Sequence, residues 1–166
     1  MALKLGANGI ESDAWTTSDG VVVLDHDGVV KSFGRKKPIS EVPKSKLPSY
    51  MPTLSDVFER CGLTFEFSID VKDNFSALGL VKESENAGFD LQKLWLCHHK
   101  IEKTLEIRKQ HPDVRVVDSS RLQRIKEGPE MRLALLAEHG VDVLNMHITD
   151  WNGGLVTMAH RFNRFA

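Results

Sequence analysis

Residues 63–72 read LTFEFSIDVK, and the alternation in this stretch decides the fold prediction. Apolar and polar residues take turns along it, which is the period of two expected of a β-strand with one buried face. The apolar set is Leu63, Phe65, Phe67, Ile69 and Val71, and the polar set is Thr64, Glu66, Ser68, Asp70 and Lys72. We expect the apolar face to pack against helices, which leaves the polar face toward the other side of the sheet.

Helical and strand patterns alternate on both sides of this stretch. Helices are predicted over 53–62, 75–87, 100–111, 120–139 (with a break at Gly128-Pro129) and 155–162, and further strands over 9–17, 21–26, 94–98, 114–118 and 141–147. Such alternation is typical of βαβ units with a parallel sheet, so the predicted fold class is α/β. About five strand–helix units fit into the chain, whereas a complete (β/α)₈ barrel needs about 250 residues.

Both ends of the sequence carry the pattern of interrupted elements. Residues 1–6 resemble the last turn of a helix, and the chain stops at residues 164–166, where another apolar strand is expected. We therefore expect residues 1–166 to form a single partial domain. Missing strands would leave two open sheet edges, and such edges favour self-association.

Composition excludes several classes of protein. Of the 166 residues, 41% are hydrophobic and 27% charged, which is typical of a soluble globular chain. The formal net charge of −1 gives no broad positive field for nucleic acid, so no nucleic-acid partner is expected. No apolar run approaches the ~20 residues of a membrane span. Cys61 and Cys97 form neither a metal-binding spacing nor a disulfide framework, which indicates a reducing, cytoplasmic location.

Two acidic residues lie on the first predicted strand, and a histidine follows on the second. Glu11 and Asp13 are two positions apart and so point to the same face, which suits a hard divalent cation. If Asp19-Gly20 is a two-residue hairpin loop, Asp13 lies directly opposite His26 and the three side chains converge. The alternative is a solvated edge hairpin whose carboxylates share a face by chance and form no binding site.

The strand at 63–72 ends in a second polar pair. Asp70 and Lys72 lie on its polar face near the carboxyl end, where the chemistry of α/β barrels takes place. An acid there can complete a three-carboxylate metal site, and a lysine can neutralise an anionic substrate. The alternatives are a strand exposed to water and a simple internal ion pair.

The segment 28–52 differs from the rest of the chain. It contains four of the six prolines and six Lys and Arg residues against the single acidic residue Glu41. We expect a basic, Pro-rich loop that is not regular throughout. Its charge could recruit phosphate groups, although runs of charge are usually solvated.

Five stretches together resemble the glycerophosphodiester phosphodiesterase family. Residues 5–13 read LGANGIESD, residues 16–27 read TTSDGVVVLDHD, and residues 52–57 read PTLSDV. The acid-x-Lys pattern at residues 70–72 and the TDWNGG of residues 149–154 follow in the family's order. The resemblance implies a (β/α)₈ TIM barrel, here incomplete, that hydrolyses glycerophosphodiesters to glycerol 3-phosphate and an alcohol.

The resemblance also implies roles for five residues. Glu11, Asp13 and Asp70 would bind a divalent metal ion, Mg²⁺ or Ca²⁺ and also Mn²⁺, which draws a phosphoryl oxygen and stabilises developing negative charge. His26 would be a general acid or base, because imidazole titrates near neutrality. Lys72 would stabilise the phosphoryl oxygens in the transition state.

Two departures from the family pattern qualify this expectation. The chain lacks the family's opening His-Arg motif, so the other acid/base histidine and a phosphate-binding arginine are unassigned. The third metal carboxylate is commonly Glu, but here it is Asp70, which is one methylene shorter. Two alternatives therefore stay open: a relative that acts on a lysophospholipid or a phosphoinositide, and an inactive fragment that serves as a binding or packing module.

Several polar residues are weaker candidates. His98-His99 and the pair Asn145 and His147 follow predicted strands and could line the pocket. Asn152-Gly153-Gly154 precedes a helix and could offer amides to phosphate. Trp15 shares the parity of Asp13, and either walls the pocket or packs in the core.

Overall fold

The computed structural model describes residues 2–32 and 35–166. The chain divides into two compact units, residues 1–94 and 95–166. In the described part of the chain, no helix has the length and apolar character to cross a membrane. The assignment of residues 1–166 to one partial domain stays a prediction.

The first unit is built around its longest strand. Its elements in chain order are β1 (Gly9–Thr16), β2 (Val22–Leu24), β3 (Val29–Ser32), β4 (Arg35–Pro38), α1 (Leu54–Cys61), β5 (Glu66–Val71) and α2 (Ser76–Ala87). Strand β1 lies between β2, which runs antiparallel to it, and β5, which runs parallel. The parallel pairing brings the carboxyl ends of β1 and β5 to one edge, where polar side chains can meet.

The alternation that predicts β5 is confirmed. The strand covers residues 66–71 of the predicted stretch 63–72. Its polar residues are partly exposed and its apolar residues Phe67, Ile69 and Val71 are buried, as is Phe65 directly before the strand. The buried face packs against aromatic rings from α1 and the loop after α2. Phe58 and Phe89 stack with ring centroids 4.9 Å apart, and Phe58 meets Phe67 edge to face at 6.5 Å. This burial supplies the main driving force that holds β5 against its helices.

The β1–β2 hairpin differs from its predicted register by one residue. Ala14 pairs with Leu24, and the N–H of Asp25 donates to the Asp13 carbonyl at 3.0 Å. Asp13 therefore lies opposite Asp25, and the predicted direct pairing of Asp13 with His26 is wrong. His26 instead follows the end of β2, in a turn.

The reason for this shift is the length of the hairpin connection. The N–H of Thr17 donates to the Val21 carbonyl at 2.9 Å, so residues 18–20 form a three-residue loop rather than a two-residue one. Gly20 closes the loop with a φ of +81°. A turn followed by a left-handed glycine is the usual form of three-residue hairpin loops, and glycine adopts that φ without a steric cost.

The basic segment 28–52 belongs to the first unit, and its described residues are only partly regular. Strands β3 and β4 pair antiparallel, and two short 3₁₀ turns follow. Its apolar residues turn inward and share a buried cluster with Val23: Val30, Ile39, Val42 and Met51. All of β4 is exposed, and Lys36 lies directly opposite the exposed Lys31. Phe33 and Gly34 belong to this predicted loop but lie outside the described residues.

Helix α1 begins with a capping box, as the sequence Thr53-Leu54-Ser55-Asp56 predicts. The Thr53 hydroxyl accepts from the N–H of Asp56 at 3.2 Å, and the Asp56 carboxylate accepts from the N–H of Thr53 at 2.8 Å. These bonds satisfy two amides that a helix start would otherwise leave free. The helix ends at the predicted glycine, since Gly62 donates back to the Phe58 carbonyl.

The second unit repeats strand and helix three times. Its elements are β6 (Leu94–His98, which begins at the last residue of the first unit), α3 (Ile101–Gln110), β7 (Arg115–Ser120), α4 (Pro129–Glu138), β8 (Val143–Met146) and α5 (Gly153–Arg161). Strand β7 pairs in parallel with β6 and with β8. Together with β1 and β5 of the first unit, the described residues contain five strands in parallel pairing and five α-helices, in agreement with the prediction of about five strand–helix units.

The helix predicted over 120–139 is wrong in its first half. Only a 3₁₀ turn forms at Leu122–Arg124, and α4 begins at Pro129. Proline lacks an amide hydrogen and suits the first position of a helix, so Pro129 starts the helix there instead of interrupting one. Arg132 of α4 then reaches β7, where it donates to the fully buried Asp118 at 2.7 Å.

Candidate active site

The carboxyl ends of β1 and β5 bring three of the predicted site residues into direct contact. Asp13 and Asp70 are register partners in the parallel pair. Lys72 follows β5 by one residue, and its ammonium lies 2.7 Å from Asp13 Oδ1 and 2.9 Å from Asp70 Oδ2. The Asp13 side chain is only 12% exposed. The pair of strands therefore presents two carboxylates joined by one cation.

Glu11 belongs to the same electrostatic cluster. It precedes Asp13 by two positions on β1 and so projects from the same face of the strand. Burial raises the pKa of Glu11 above its usual range, and the negative charges of Asp13 and Asp70 raise it further. The positive charge of Lys72 acts in the opposite direction. A carboxyl group in this setting takes up a proton more readily than an isolated one, and a cation placed there would hold it ionised.

Lys72 remains charged in this cluster. Burial acts against its charge, but the hydrogen bonds to Asp13 and Asp70 outweigh burial and raise the pKa of the Lys72 amine. The site therefore contains a permanent ammonium group at neutral pH. Such a group can attract a phosphodiester and stabilise negative charge on its oxygens.

His26 lies in the turn after β2 and is electrostatically linked to the cluster without touching it. Its Nδ1 is 2.9 Å from Asp27 Oδ1, and the side chain is 91% exposed. The hydrogen bond to Asp27 raises the pKa of His26, and the charge of Asp13 adds to the effect. An Nδ1–H donated to Asp27 leaves Nε2 to give or take a proton.

The turn that carries His26 is held by its neighbours. Asp25 Oδ2 accepts from the N–H groups of Asp27 at 3.0 Å and Gly28 at 2.9 Å. The Trp15 indole donates to the Asp25 carbonyl at 2.8 Å. Trp15 is half-buried and packs against the cluster around Val23. Its observed contacts are thus with the core and with the His26 turn.

Sequence reasoning missed Asp73, which lies beside Lys72. The Asp73 carboxylate accepts from the N–H of Thr16 at 2.5 Å and from the N–H groups of Phe75 and Ser76 at 2.8 and 2.7 Å. The sequence contained a signal for the bonds to Phe75 and Ser76, because an Asp shortly before a helical pattern commonly accepts from the backbone N–H groups that follow it. The bond to Thr16 joins residues 57 positions apart and has no local signal.

The carboxylates have the donor chemistry of a hard-cation site. Glu11, Asp13 and Asp70 would offer oxygen ligands of the type that Mg²⁺ and Ca²⁺ take. Within residues 2–32 and 35–166, no group of three or more acidic, His or Cys side chains has the arrangement of a formed metal site. The Lys72 ammonium bridges Asp13 and Asp70 instead. Metal binding by these residues therefore stays a prediction.

Comparison with known proteins identifies the family. The sequence model of the glycerophosphoryl diester phosphodiesterase family matches residues 1–117. The chain belongs to this family. The match confirms the resemblance drawn from the motifs, and it places the chain among phosphodiester hydrolases. A search of curated proteins finds no match.

Solved structures show the fold of this phosphodiesterase-family chain. A Silicibacter pomeroyi protein described as a glycerophosphoryl diester phosphodiesterase has a TM-score of 0.82 at 15% identity, over 98% of this chain and 72% of that one. A Thermotoga maritima glycerophosphodiester phosphodiesterase has a TM-score of 0.77 at 21% identity, over 97% and 70%. An Oleispira antarctica phosphodiesterase in complex with the product sn-glycerol-3-phosphate has 0.77 at 13%, over 97% and 72%. The predicted fold class, an incomplete (β/α)₈ barrel, is confirmed.

The weaker candidates of this family member make local contacts within the second unit. His98 and His99 stack with centroids 4.7 Å apart, and His98 Nδ1 accepts from a backbone N–H. His147 caps a short 3₁₀ turn, and Asn152 caps α5 by accepting from the N–H of Leu155. Each of these contacts is sufficient to explain the residue as a structural group.

Two smaller expectations have different outcomes. Asn145 donates to the Ser119 hydroxyl at 3.2 Å, so it joins β7 to β8. Cys97 is buried as expected of a structural thiol, but Cys61 is exposed at the end of α1. The sequence alone favours the interpretation of both cysteines as buried thiols, and this interpretation is wrong for Cys61, because the last turn of this short helix faces solvent.

Proposed function

We propose that this chain hydrolyses glycerophosphodiesters to glycerol 3-phosphate and an alcohol with the help of a divalent metal ion. The observation that carries the proposal is the contact of the Lys72 ammonium with both Asp13 and Asp70, in a chain of the phosphodiesterase family. The sn-glycerol-3-phosphate bound to the Oleispira antarctica relative is the product that this reaction would release.

The residues have complementary parts in this reaction. Glu11, Asp13 and Asp70 would hold the ion, which supplies Lewis-acid stabilisation of the phosphoryl oxygens when bound. Lys72 orients the same oxygens and balances their charge. His26, whose hydrogen bond to Asp27 leaves one ring nitrogen accessible, transfers a proton to or from the reacting oxygen.

A first experiment tests metal binding apart from turnover. Mg²⁺, Ca²⁺ or Mn²⁺ is added to the chain, and the midpoint of thermal unfolding is followed. An ion that binds only the folded state raises the free energy of unfolding by mass action, by about 2.7 kcal/mol at 100 times its Kd, and so raises the midpoint. The double variant Glu11→Ala, Asp13→Ala should lose this rise, whereas Glu85→Ala on the exposed side of α2 should keep it. An equal rise in both variants contradicts the metal assignment.

A second experiment tests the reaction. Release of glycerol 3-phosphate from glycerophosphocholine is measured with Mg²⁺, with Ca²⁺ and with EDTA. We expect turnover that EDTA abolishes and that Lys72→Met and His26→Ala each reduce about 10²–10⁴-fold, the usual contribution of a proton-transfer or charge-stabilising group. Absence of metal-dependent turnover in the unsubstituted chain would refute the proposed activity and favour a binding module.

A second substrate class is supported by the basic hairpin. The hydrogen bond to His26 lowers the pKa of Asp27, and the charges of Lys36 and Lys31 lower it further, so these lysines act on the His26 turn. A phosphodiester with a second anionic group, such as a phosphoinositide headgroup, would gain from this field. Faster turnover of glycerophosphoinositol phosphate than of glycerophosphocholine, reduced by Lys36→Glu and by high salt, would support this class.

Location and assembly belong to the same proposal. We infer a cytoplasmic chain from its cysteine content. Self-association through sheet edges is also expected, although β2 and β8 each have one isolated bridge on their outer side, Val23 to Thr53 and Val143 to Phe165. Size-exclusion chromatography across a range of concentrations tests this expectation, and a monomer at all of them contradicts it.

A further inference from the structure

One carboxylate beside the candidate site accepts hydrogen bonds from two different elements. From β1, Asp73 receives the backbone N–H of Thr16 at 2.5 Å and the Thr16 hydroxyl at 3.1 Å. From the start of α2, it receives the N–H groups of Phe75 at 2.8 Å and Ser76 at 2.7 Å. Asp73 therefore ties the end of β1 to the beginning of α2.

The position of this tie is set by the end of the β1–β5 ladder. Ala14 is the last residue of β1 with a register partner in β5, Val71, and the N–H of Lys72 donates to the Ala14 carbonyl at 3.2 Å. In a continuing parallel ladder the N–H of Thr16 would find the next carbonyl of β5. The chain turns away into α2 instead, and the Asp73 carboxylate accepts that N–H in place of the missing carbonyl.

Lys72 lies between the last ladder bond and this tie. Its own N–H is held by β1, and the residue after it is anchored to both β1 and α2. A lysine side chain loses much of its rotamer freedom when it is ordered, so a firmly placed backbone is needed to hold its ammonium in one position. That position is 2.7 Å from Asp13 and 2.9 Å from Asp70.

We propose that Asp73 is a positioning residue for the site: it holds Lys72 where the ammonium meets both Asp13 and Asp70. The effect on turnover rests on the proposed function, whereas the effect on the Lys72 ammonium does not. The bonds to Phe75 and Ser76 are the local turn bonds that an Asp side chain makes two and three residues along, so the two bonds to Thr16 are the part that this local role leaves unexplained.

Two matched variants separate the effect of the bonds to Thr16 from the effect of the bonds to the start of α2. Asp73→Ser keeps a side chain that can make local bonds to the N–H groups at the start of α2 but is too short to reach β1 as well. Asp90→Ser makes the same replacement at a residue with a local bond only. Asp90 caps the short 3₁₀ turn Leu91–Lys93 and accepts from the N–H of Gln92 at 3.0 Å. Both variants are checked for folding by circular dichroism before use.

The deciding measurement is the NMR signal of the Lys72 ammonium in ¹⁵N-lysine-labelled protein, assigned with Lys72→Arg. The protons of an ammonium held by two carboxylates exchange with water slowly enough for its NMR signal to be observed. The protons of a freely moving ammonium exchange too fast for this. We expect the signal in the unsubstituted chain and in Asp90→Ser, and its loss in Asp73→Ser. A signal that persists in Asp73→Ser, or that is absent from the unsubstituted chain, overturns the proposal.

Turnover of glycerophosphocholine gives a second measurement. Displacement of a reacting group by about 1 Å can cost about 10²-fold, so Asp73→Ser should lower kcat about 10–100-fold with little change in KM. In a Lys72→Met background the same substitution should have almost no further effect, because the two residues act as one unit. An equal loss in both backgrounds overturns the proposal. If the unsubstituted chain has no turnover, the proposed function fails, and the ammonium signal still decides the role of Asp73.

Discussion

Substitution of Gly28 by alanine perturbs the His26 turn in a way that can be calculated from the structure. Gly28 has a φ of +67°, and a Cβ atom at this position would lie 2.4 Å from the ring of Trp15. The left-handed backbone costs alanine about 1–2 kcal/mol. The contact with the ring adds the cost of overpacking, about 1–3 kcal/mol, because Trp15 is itself held by its bond to the Asp25 carbonyl.

Gly88 provides a matched control for this prediction. It has a similar φ of +74°, but a Cβ atom there has no other atom within 4 Å. Gly88→Ala should therefore show only the backbone cost, and Gly28→Ala should be less stable by a further 1–3 kcal/mol or so. At about 2–4 °C for each kcal/mol in a chain of this size, the additional fall in the unfolding midpoint is about 2–12 °C.

Thermal unfolding followed by circular dichroism measures both variants. Tryptophan fluorescence adds a local readout, since Gly28→Ala should change the environment of the Trp15 indole and Gly88→Ala should not. Equal midpoints for the two variants would refute the reasoning, because they would show that Trp15 does not close over Gly28. The position assigned to the His26 turn would then be wrong as well.

Three further predictions concern stability and protonation. Arg132→Ala should cost about 3–5 kcal/mol in urea unfolding, because it leaves the fully buried Asp118 carboxylate without its cation; a cost below 1 kcal/mol would contradict the assignment. Thr53→Ala should cost about 0.5–2 kcal/mol by removing the cap of α1, and thermal unfolding checks this. Asp27→Asn should lower the pKa of His26 in an NMR titration, since the bond to Asp27 is the main cause of its elevation. Because folding raises the pKa of His26, the charged imidazole contributes its full stabilisation below the unfolded-state pKa of His26. This contribution is lost as pH rises through the folded-state pKa of His26. An unchanged titration in Asp27→Asn would contradict that cause.

Local patterns in the sequence determined most of the secondary structure. The alternation over residues 63–72 predicts β5 and its buried face, because a strand exposes alternate residues to opposite sides. The Thr53–Asp56 spacing predicts the start of α1, because both bonds of a capping box form within one turn. These inferences succeed because the interactions behind them involve residues close together in the chain.

The residues of the proposed site were also selected from the sequence. Glu11 and Asp13 share a face through strand geometry alone, and the order of the motifs points to the family that the comparison confirms. The family pattern identifies Asp70 and Lys72 as partners of these acids without showing how they meet.

Only the tertiary structure decided how these groups are placed. The hairpin register depends on whether the turn has two or three residues, and a change of one residue moves His26 out of its predicted pairing with Asp13. The contact of Lys72 with Asp13 and the tie from Asp73 to Thr16 each join residues more than 50 positions apart. Such contacts leave no periodic trace in the sequence, because they arise only when the parallel pairing of β1 with β5 brings the two strand ends to the same edge.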